Sequence, residues 1–95
     1  MEILIYNSVG KFAENKDKAK EIRVNEILPS LEKGEEVILD FNKVDSATQS
    51  FIHALISDVI RKRGLAILDR VYFKNCNLTI QKIIGIVIEY MQDHN

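Results

Sequence analysis

Short apolar runs alternate along the chain with longer segments of helical periodicity. Three of the runs are too short for a helix and predict strands over residues 2–6, 37–41 and 70–74. After each run, apolar residues recur at spacings of three and four, which predicts helices over residues 13–28, about 46–63 and about 77–92. This β-α-β-α-β-α order is typical of a small α/β domain with a mainly parallel sheet.

The helix predicted after the second strand has the clearest pattern. At about 100° per residue, one broad face collects apolar side chains that we expect to form the core. They are Phe51, Ile52, Leu55, Ile56, Val59 and Ile60. The opposite face, which we expect to meet solvent, carries Ser50, Ala54, Ser57 and Arg61. Gly64 is placed to end this helix.

The first and last helices depart from a simple amphipathic pattern. In the first, Pro29 predicts a break, because its ring cannot continue the hydrogen-bond ladder, and Gly34 then ends the last turn. In the last, more than half of the circumference is apolar, with Ile86 and Tyr90 at the margin. One sheet face does not cover so wide an apolar arc, so we expect a self-association surface and a homodimer.

Composition favours a single domain over residues 1–95. The 95 residues include 46% hydrophobic and 28% charged residues, enough for a core without a bias towards disorder.

The formal net charge of −1 argues against nucleic-acid and anionic-membrane partners, because both favour a basic excess. The chain has neither a signal-peptide pattern nor an apolar run near the roughly 20 residues that span a bilayer. Together with a lone cysteine, Cys76, this predicts a cytoplasmic protein.

Polar residues follow all three predicted strands. Because the carboxyl ends of parallel strands meet at one edge of a sheet, beside the helix N-termini, that edge suits a small molecule or nucleotide. The candidate residues are Asn7, Ser8, Asn42, Asp45, Ser46, Asn75 and Asn77. The same residue types also form helix caps and turns, and Ser46 with Gln49 fits a capping box. A ligand sensor and a purely structural role therefore both fit this edge.

Patterns for catalysis and metal binding are sparse. His53 lies three residues after Ser50, a spacing that places a base beside a nucleophile on one helix and fits a hydrolase. No orienting acid or oxyanion-binding group accompanies the pair, so we predict that the protein is not an enzyme. Neither His53 nor His94 belongs to a cluster with metal-ligand spacing, and we predict no metal and no cofactor.

The stretch VILDFNKVDSATQSFIHALI resembles the STAS-like family of unknown function. Members of that family carry an apolar strand ending in Asp-Phe, a short loop to Val, and a helix that starts with Ser-Phe. In the wider STAS group, the anti-sigma-factor antagonists, an Asp-Ser-Ser-Gly motif lies at the start of this helix. Counted from Asp40 and Val44, the motif falls on residues 48–51. The resemblance therefore implies that Ser50 corresponds to the serine that a partner kinase phosphorylates.

Two positions depart from the antagonist motif, since Thr48 replaces its acid and Phe51 replaces its glycine. The resemblance implies a non-enzymatic regulatory module that binds a protein partner, a kinase-like protein or another ATPase. We predict that the partner meets the second helix and the preceding loop. Ser50 fits two roles there, a phosphorylation switch that controls the contact and an exposed serine of the first helical turn. The predicted partner-binding residues are Asp45, Ser46, Ser50, His53, Ser57 and Arg61.

Overall fold

Three parallel strands form the centre of the fold. The computed structural model of the protein describes residues 1–93, with side chains described for residues 1–92. The strands lie in the order β1-β3-β5, where β1 is Glu2–Leu4, β3 is Val37–Asp40 and β5 is Val71–Lys74. Leu39 in the central strand pairs with Ile3 on one side and with Phe73 on the other. The predicted α/β class and mainly parallel sheet are confirmed.

The two faces of this sheet have different surroundings. Parallel strands that are neighbours in both sequence and space are joined by right-handed crossovers, which bring the connecting helices to the same face. On that face Ile3, Leu39 and Val71 are buried. On the other face Leu4 and Tyr72 are each 45% exposed. The hydrophobic core therefore lies between one sheet face and the helices.

The segment that follows β1 differs from the prediction. Ile5–Val9 forms a short helix, α1, so the predicted continuation of the strand to residue 6 is wrong. Phe12–Ala13 then forms strand β2, which pairs in parallel with β4 (Ser46–Ala47). These two-residue strands form by pairing segments that are distant in sequence, so neither has a local apolar pattern that predicts it.

The first long helix begins later than predicted and does not break at Pro29. It starts with α2 (Lys16–Ile22), which is capped by Asn15, because the Asn15 Oδ1 accepts hydrogen bonds from two backbone N–H groups of the first turn. A π-helical turn (Arg23–Ile27) then leads directly into α3 (Leu28–Glu32). The predicted end is confirmed, since Gly34 follows α3 with a φ of +83°.

The π-helical turn explains how the helix passes Pro29. In a regular α-helix the proline ring would clash with the carbonyl group of Asn25, four residues earlier. Here the backbone N–H of Leu28 donates to the carbonyl oxygen of Arg23, five residues earlier, so the turn before the proline is widened. The extra residue also shifts the phase of the buried apolar side chains along the helix, which are Ala19, Ile22, Ile27 and Leu31.

Two further helices complete the fold. One is α4 (Gln49–Arg63), which ends at Gly64 with a φ of +80°, and the other is α5 (Leu78–Asp93), which follows β5. A 3-10 helix (Leu65–Arg70) joins α4 to β5. The predicted core face of α4 is confirmed, since each of its six apolar side chains is at most 2% exposed. Within residues 1–93, no helix has both the length and the apolar character needed to cross a membrane.

The opposite face of α4 is less exposed than predicted. Because α2 packs along one side of α4 and α5 along the other, the flanking helices cover more than its apolar face. Ser57 is only 3% exposed, so its predicted exposure to solvent is wrong. Ala54 is half-buried, whereas Ser50 and Arg61 are exposed.

Candidate functional site

A groove of about 430 Å³ lies between the first half of α4 and the second half of α5. Its lining consists of Lys16, Gln49, Ser50, His53, Ala54, Ile86, Val87 and Tyr90. Two interpretations made separately from the sequence meet here. Ser50 and His53 belong to the predicted partner-binding set, and Ile86 and Tyr90 to the predicted self-association surface. The packing of α4 against α5 brings these four residues together.

The start of α4 determines how Ser50 is presented. Thr48 is the N-cap, because its side-chain oxygen accepts a hydrogen bond from the backbone N–H of Phe51 at 3.0 Å. Ser46 lies two residues earlier in β4, so the predicted capping box of Ser46 with Gln49 is wrong. With Thr48 as the cap, Ser50 falls in the first helical turn and is exposed at the groove.

An aromatic contact joins the two helices that form the groove. The ring centroids of His53 and Tyr90 are 6.0 Å apart with an interplanar angle of 70°, an edge-to-face arrangement. Tyr90 is nevertheless 48% exposed. The contact therefore holds α4 and α5 together at this point while leaving aromatic surface accessible.

The groove is polar around the N-terminal turn of α4, called here its polar end, and apolar along α5. Lys16 and Gln49 lie with Ser50 at the N-terminal turn of α4, whereas Ile86 and Val87 line the side formed by α5. Lys16 carries a positive charge, and none of the lining residues is acidic. The lining is therefore suited to a group that combines apolar surface with neutral or acidic polar atoms.

Ser50 and His53 lack the third component of a catalytic triad. Both line the groove, but no acid lies among the lining residues to orient the imidazole ring. The hydrolase hypothesis therefore gains no support from this geometry. Among residues 1–92, no three His, Cys, Asp or Glu side chains come together as metal ligands. His94 lies outside the described residues.

Arg23 in the π-helical turn links the first long helix to α4 beside the groove. Its Nη1 donates to the carbonyl oxygen of Ala54 at 2.8 Å and lies 3.2 Å from Oδ2 of Asp58. The other carboxylate oxygen of Asp58 lies 3.1 Å from Nη1 of Arg61. This link has no sequence signal, because Arg23 and Asp58 are far apart in the chain and belong to no shared motif.

At the predicted ligand edge, the polar groups around Asp40 are paired within the chain. The Asp40 Oδ1 accepts hydrogen bonds from Nδ2 of Asn75 at 3.0 Å and from the backbone N–H of Asn42 at 2.9 Å. These hydrogen bonds, the one from Asn75 above all, hold the pKa of the Asp40 carboxyl below its usual value. Asn42 and Asn75 thus help to stabilise the ends of the strands.

The other predicted edge residues have other contacts. Asn77 caps α5, since its Oδ1 accepts a hydrogen bond from the backbone N–H of Ile80 at 2.9 Å. Its Nδ2 donates to the carbonyl oxygen of Asp45 at 2.8 Å. Asn7 and Ser8 lie on α1, in a polar depression of about 410 Å³ shared with α2 and the π-helical turn. Asn42, Asp45, Asn75 and Asn77 do not line this depression, and a ligand at the sheet edge stays a prediction.

The predicted partner-binding residues fall into different environments. Two of them line the groove, Ser50 and His53. Four do not, and they are Asp45, Ser46, Ser57 and Arg61. The lining also includes Lys16, which sequence reasoning did not single out, because only the packing of α2 places it beside α4. Ile86 and Tyr90 had a sequence signal in the unusually wide apolar arc of α5.

Comparison with known proteins identifies one family. A family model described as a STAS-like domain of unknown function (DUF4325) matches residues 18–81. The match includes the loop before α4 and all of α4, with Ser50 and His53. No curated protein and no solved structure matches the chain significantly.

Proposed function

The chain belongs to this STAS-like family, and on that premise we propose that it is a non-enzymatic regulatory module whose groove binds a protein partner. Phosphorylation of Ser50 controls the binding, and the partner is a kinase-like protein or another ATPase. The observation that carries the proposal is the position of Ser50, which is exposed in the first turn of α4 and lines the groove.

The accessible apolar surface of the groove supports a protein partner. Ile86 and Tyr90 are 46% and 48% exposed, and they lie one turn apart on the same side of α5. Large apolar side chains that cluster beside polar groups mark interaction surfaces, and aromatic side chains carry much of the binding free energy at such surfaces. A helix or loop of a partner that covers both residues removes this area from water.

Phosphorylation of Ser50 changes the charge at the polar end of the groove. A phosphate group adds about two negative charges at neutral pH. Beside Lys16 and the N-terminal turn of α4, this group is stabilised by a cation and by the helix dipole. A partner seated in the groove then meets a strongly hydrated group in the contact, so its affinity falls.

The two departures from the antagonist motif leave Ser50 accessible. Phe51, which stands in place of the glycine, is fully buried, so its bulk lies in the core and not in the path of a partner. Thr48, which stands in place of the acid, caps α4. Both substitutions therefore support the fold around Ser50 without covering it.

Capture of the partner and phosphate transfer test the proposal together. The full chain, immobilised, is used to capture proteins from a lysate of the cells that naturally produce it. Mass spectrometry then identifies any protein retained in stoichiometric amount. The purified pair is then incubated with ATP, and intact-mass measurement and site mapping follow. We expect one phosphate on Ser50 and none on a Ser50→Ala variant. Retention of a small molecule without a protein, or phosphate at other residues alone, contradicts the proposal.

A further inference from the structure

A second surface of α5 lies opposite its buried side. The buried residues of α5 are Ile80, Ile84, Val87 and Met91. The opposite side, called here the exposed stripe, consists of Leu78, Lys82, Gly85, Ile86 and Glu89. Within it Leu78 is 74% exposed and Ile86 is 46% exposed. The exposed stripe thus combines two large apolar side chains with two opposite charges.

Lys82 and Glu89 are placed symmetrically on the exposed stripe. Neither takes part in an ion pair within the part of the chain that the structure describes. At a rise of about 1.5 Å per residue, they lie about 5 Å to either side of the point midway between Gly85 and Ile86. Their charges are therefore equally distant from one centre on the helix and opposite in sign.

This symmetry makes the exposed stripe complementary to itself. When a second α5 crosses antiparallel at the midpoint, Lys82 lies beside Glu89 of the second copy, and Glu89 beside Lys82 of the second copy. A parallel crossing places each charge beside its like instead, which is unfavourable. A two-fold pair of this kind uses the same patch on both copies. The charges thus select both the occupant and its orientation.

Gly85 lies next to the centre of the exposed stripe, in the interior of a helix. A glycine there disfavours the helix relative to alanine, because glycine loses more conformational freedom on folding. Among the residues that the structure describes, none requires the glycine, since a Cβ atom at this position would have none of their atoms within 4 Å. At a helix crossing, however, a missing side chain allows the two backbones to approach closely. The glycine fits a contact with a second helix.

We propose that the exposed stripe docks on the same stripe of a second copy of this chain, in an antiparallel α5 pair. Lys82 and Glu89 form two ion pairs between the copies, Gly85 lies at the crossing, and Leu78 and Ile86 lose solvent exposure. Two short helix faces bury less area than the roughly 1,200 Å² of a stable interface, so the dimer is weak and forms at high concentration. Ile86 also lines the groove, but Lys82, Gly85 and Glu89 do not, so substitutions at these three residues test the pairing separately from the proposed partner.

Charge exchange tests the pairing. Sedimentation equilibrium at low ionic strength, from micromolar to millimolar protein, compares the full chain with Lys82→Glu, Glu89→Lys and the variant that carries both substitutions. Each single reversal places like charges together at two points and should weaken dimerisation about tenfold or more. The double variant should restore the dimer dissociation constant of the wild type to within about threefold. Circular dichroism checks the folding of the variants. We expect all of them to fold, because both positions are exposed.

Three results of this charge exchange would overturn the inference. They are a wild-type chain that stays monomeric at millimolar concentration, single reversals that dimerise like the wild type, and a folded double variant that does not regain dimerisation.

Gly85→Ala provides a second measurement. It should raise the midpoint of thermal unfolding in dilute solution, because alanine favours the helix, and weaken the dimer several-fold by separating the backbones. Undiminished dimerisation of Gly85→Ala would place the crossing elsewhere and overturn the proposed pair.

Discussion

The cap of α4 shows how single residues position the candidate site. Thr48 accepts the hydrogen bond from the backbone N–H of Phe51, although Ser46 has the spacing of a capping box. Ser46 lies instead in β4, where it pairs with Phe12. The cap places Ser50 in the first turn of α4, at the groove. Local spacing alone does not identify this cap, because the pairing of β2 with β4 determines which residue precedes the helix.

Replacement of the cap tests this assignment. Thr48→Ala should lower the free energy of unfolding by about 0.5 to 2 kcal/mol, because the N–H of Phe51 loses its partner. Ser46→Ala is the matched control, and it should change the free energy by about 0.5 kcal/mol or less. Urea denaturation followed by circular dichroism measures both. A larger loss of unfolding free energy for Ser46→Ala than for Thr48→Ala would show that Ser46, and not Thr48, caps α4.

At the scale of elements, α4 contributes one whole apolar face to the core. It packs against both α2 and α5, and its apolar side chains reach the centre of the core. Leu55→Ala should cost about 2 to 5 kcal/mol of stability, because a fully buried side chain is lost and a cavity is left. Lys62→Ala, at an exposed position of the same helix, serves as the control. A near-neutral Leu55→Ala, measured by chemical denaturation, would show that the assigned core face is wrong.

The elements that follow hydrophobic periodicity could be predicted from the sequence. The three strands of the main sheet, the core face of α4 and the stops at Gly34 and Gly64 all follow from local patterns. The elements that depend on distant contacts could not. The pair β2 and β4 and the burial of Ser57 arise from packing between segments far apart in the chain.

The candidate site was predictable to a similar extent. Ser50 and His53 followed from the stretch after the second strand, and Ile86 and Tyr90 from the wide apolar arc of α5. That these residues form one groove depends on how α4 and α5 pack, which no local pattern specifies. Ser57 and Arg61 were assigned to the same surface by helical phase alone, and the flanking helices place neither in the groove.

For the whole molecule, the two proposed surfaces lie on neighbouring sides of α5. The family match ends at residue 81, so it includes the side of the groove formed by α4 but not the side formed by Ile86 and Tyr90. Ile86 belongs to both surfaces, so substitutions there would not separate partner binding from self-association.

The affinity of the captured partner for charge variants at Ser50 tests the central claim most directly. Isothermal titration calorimetry compares the wild-type chain with Ser50→Asp and Ser50→Ala, and with Ser8→Asp as a control that adds the same charge at an exposed position outside the groove. Ser50→Asp should weaken binding about tenfold or more, because it adds charge within the contact, whereas Ser50→Ala and Ser8→Asp should bind much like the wild type. Equal affinities for Ser50→Asp and Ser50→Ala would contradict control of the groove by phosphorylation of Ser50.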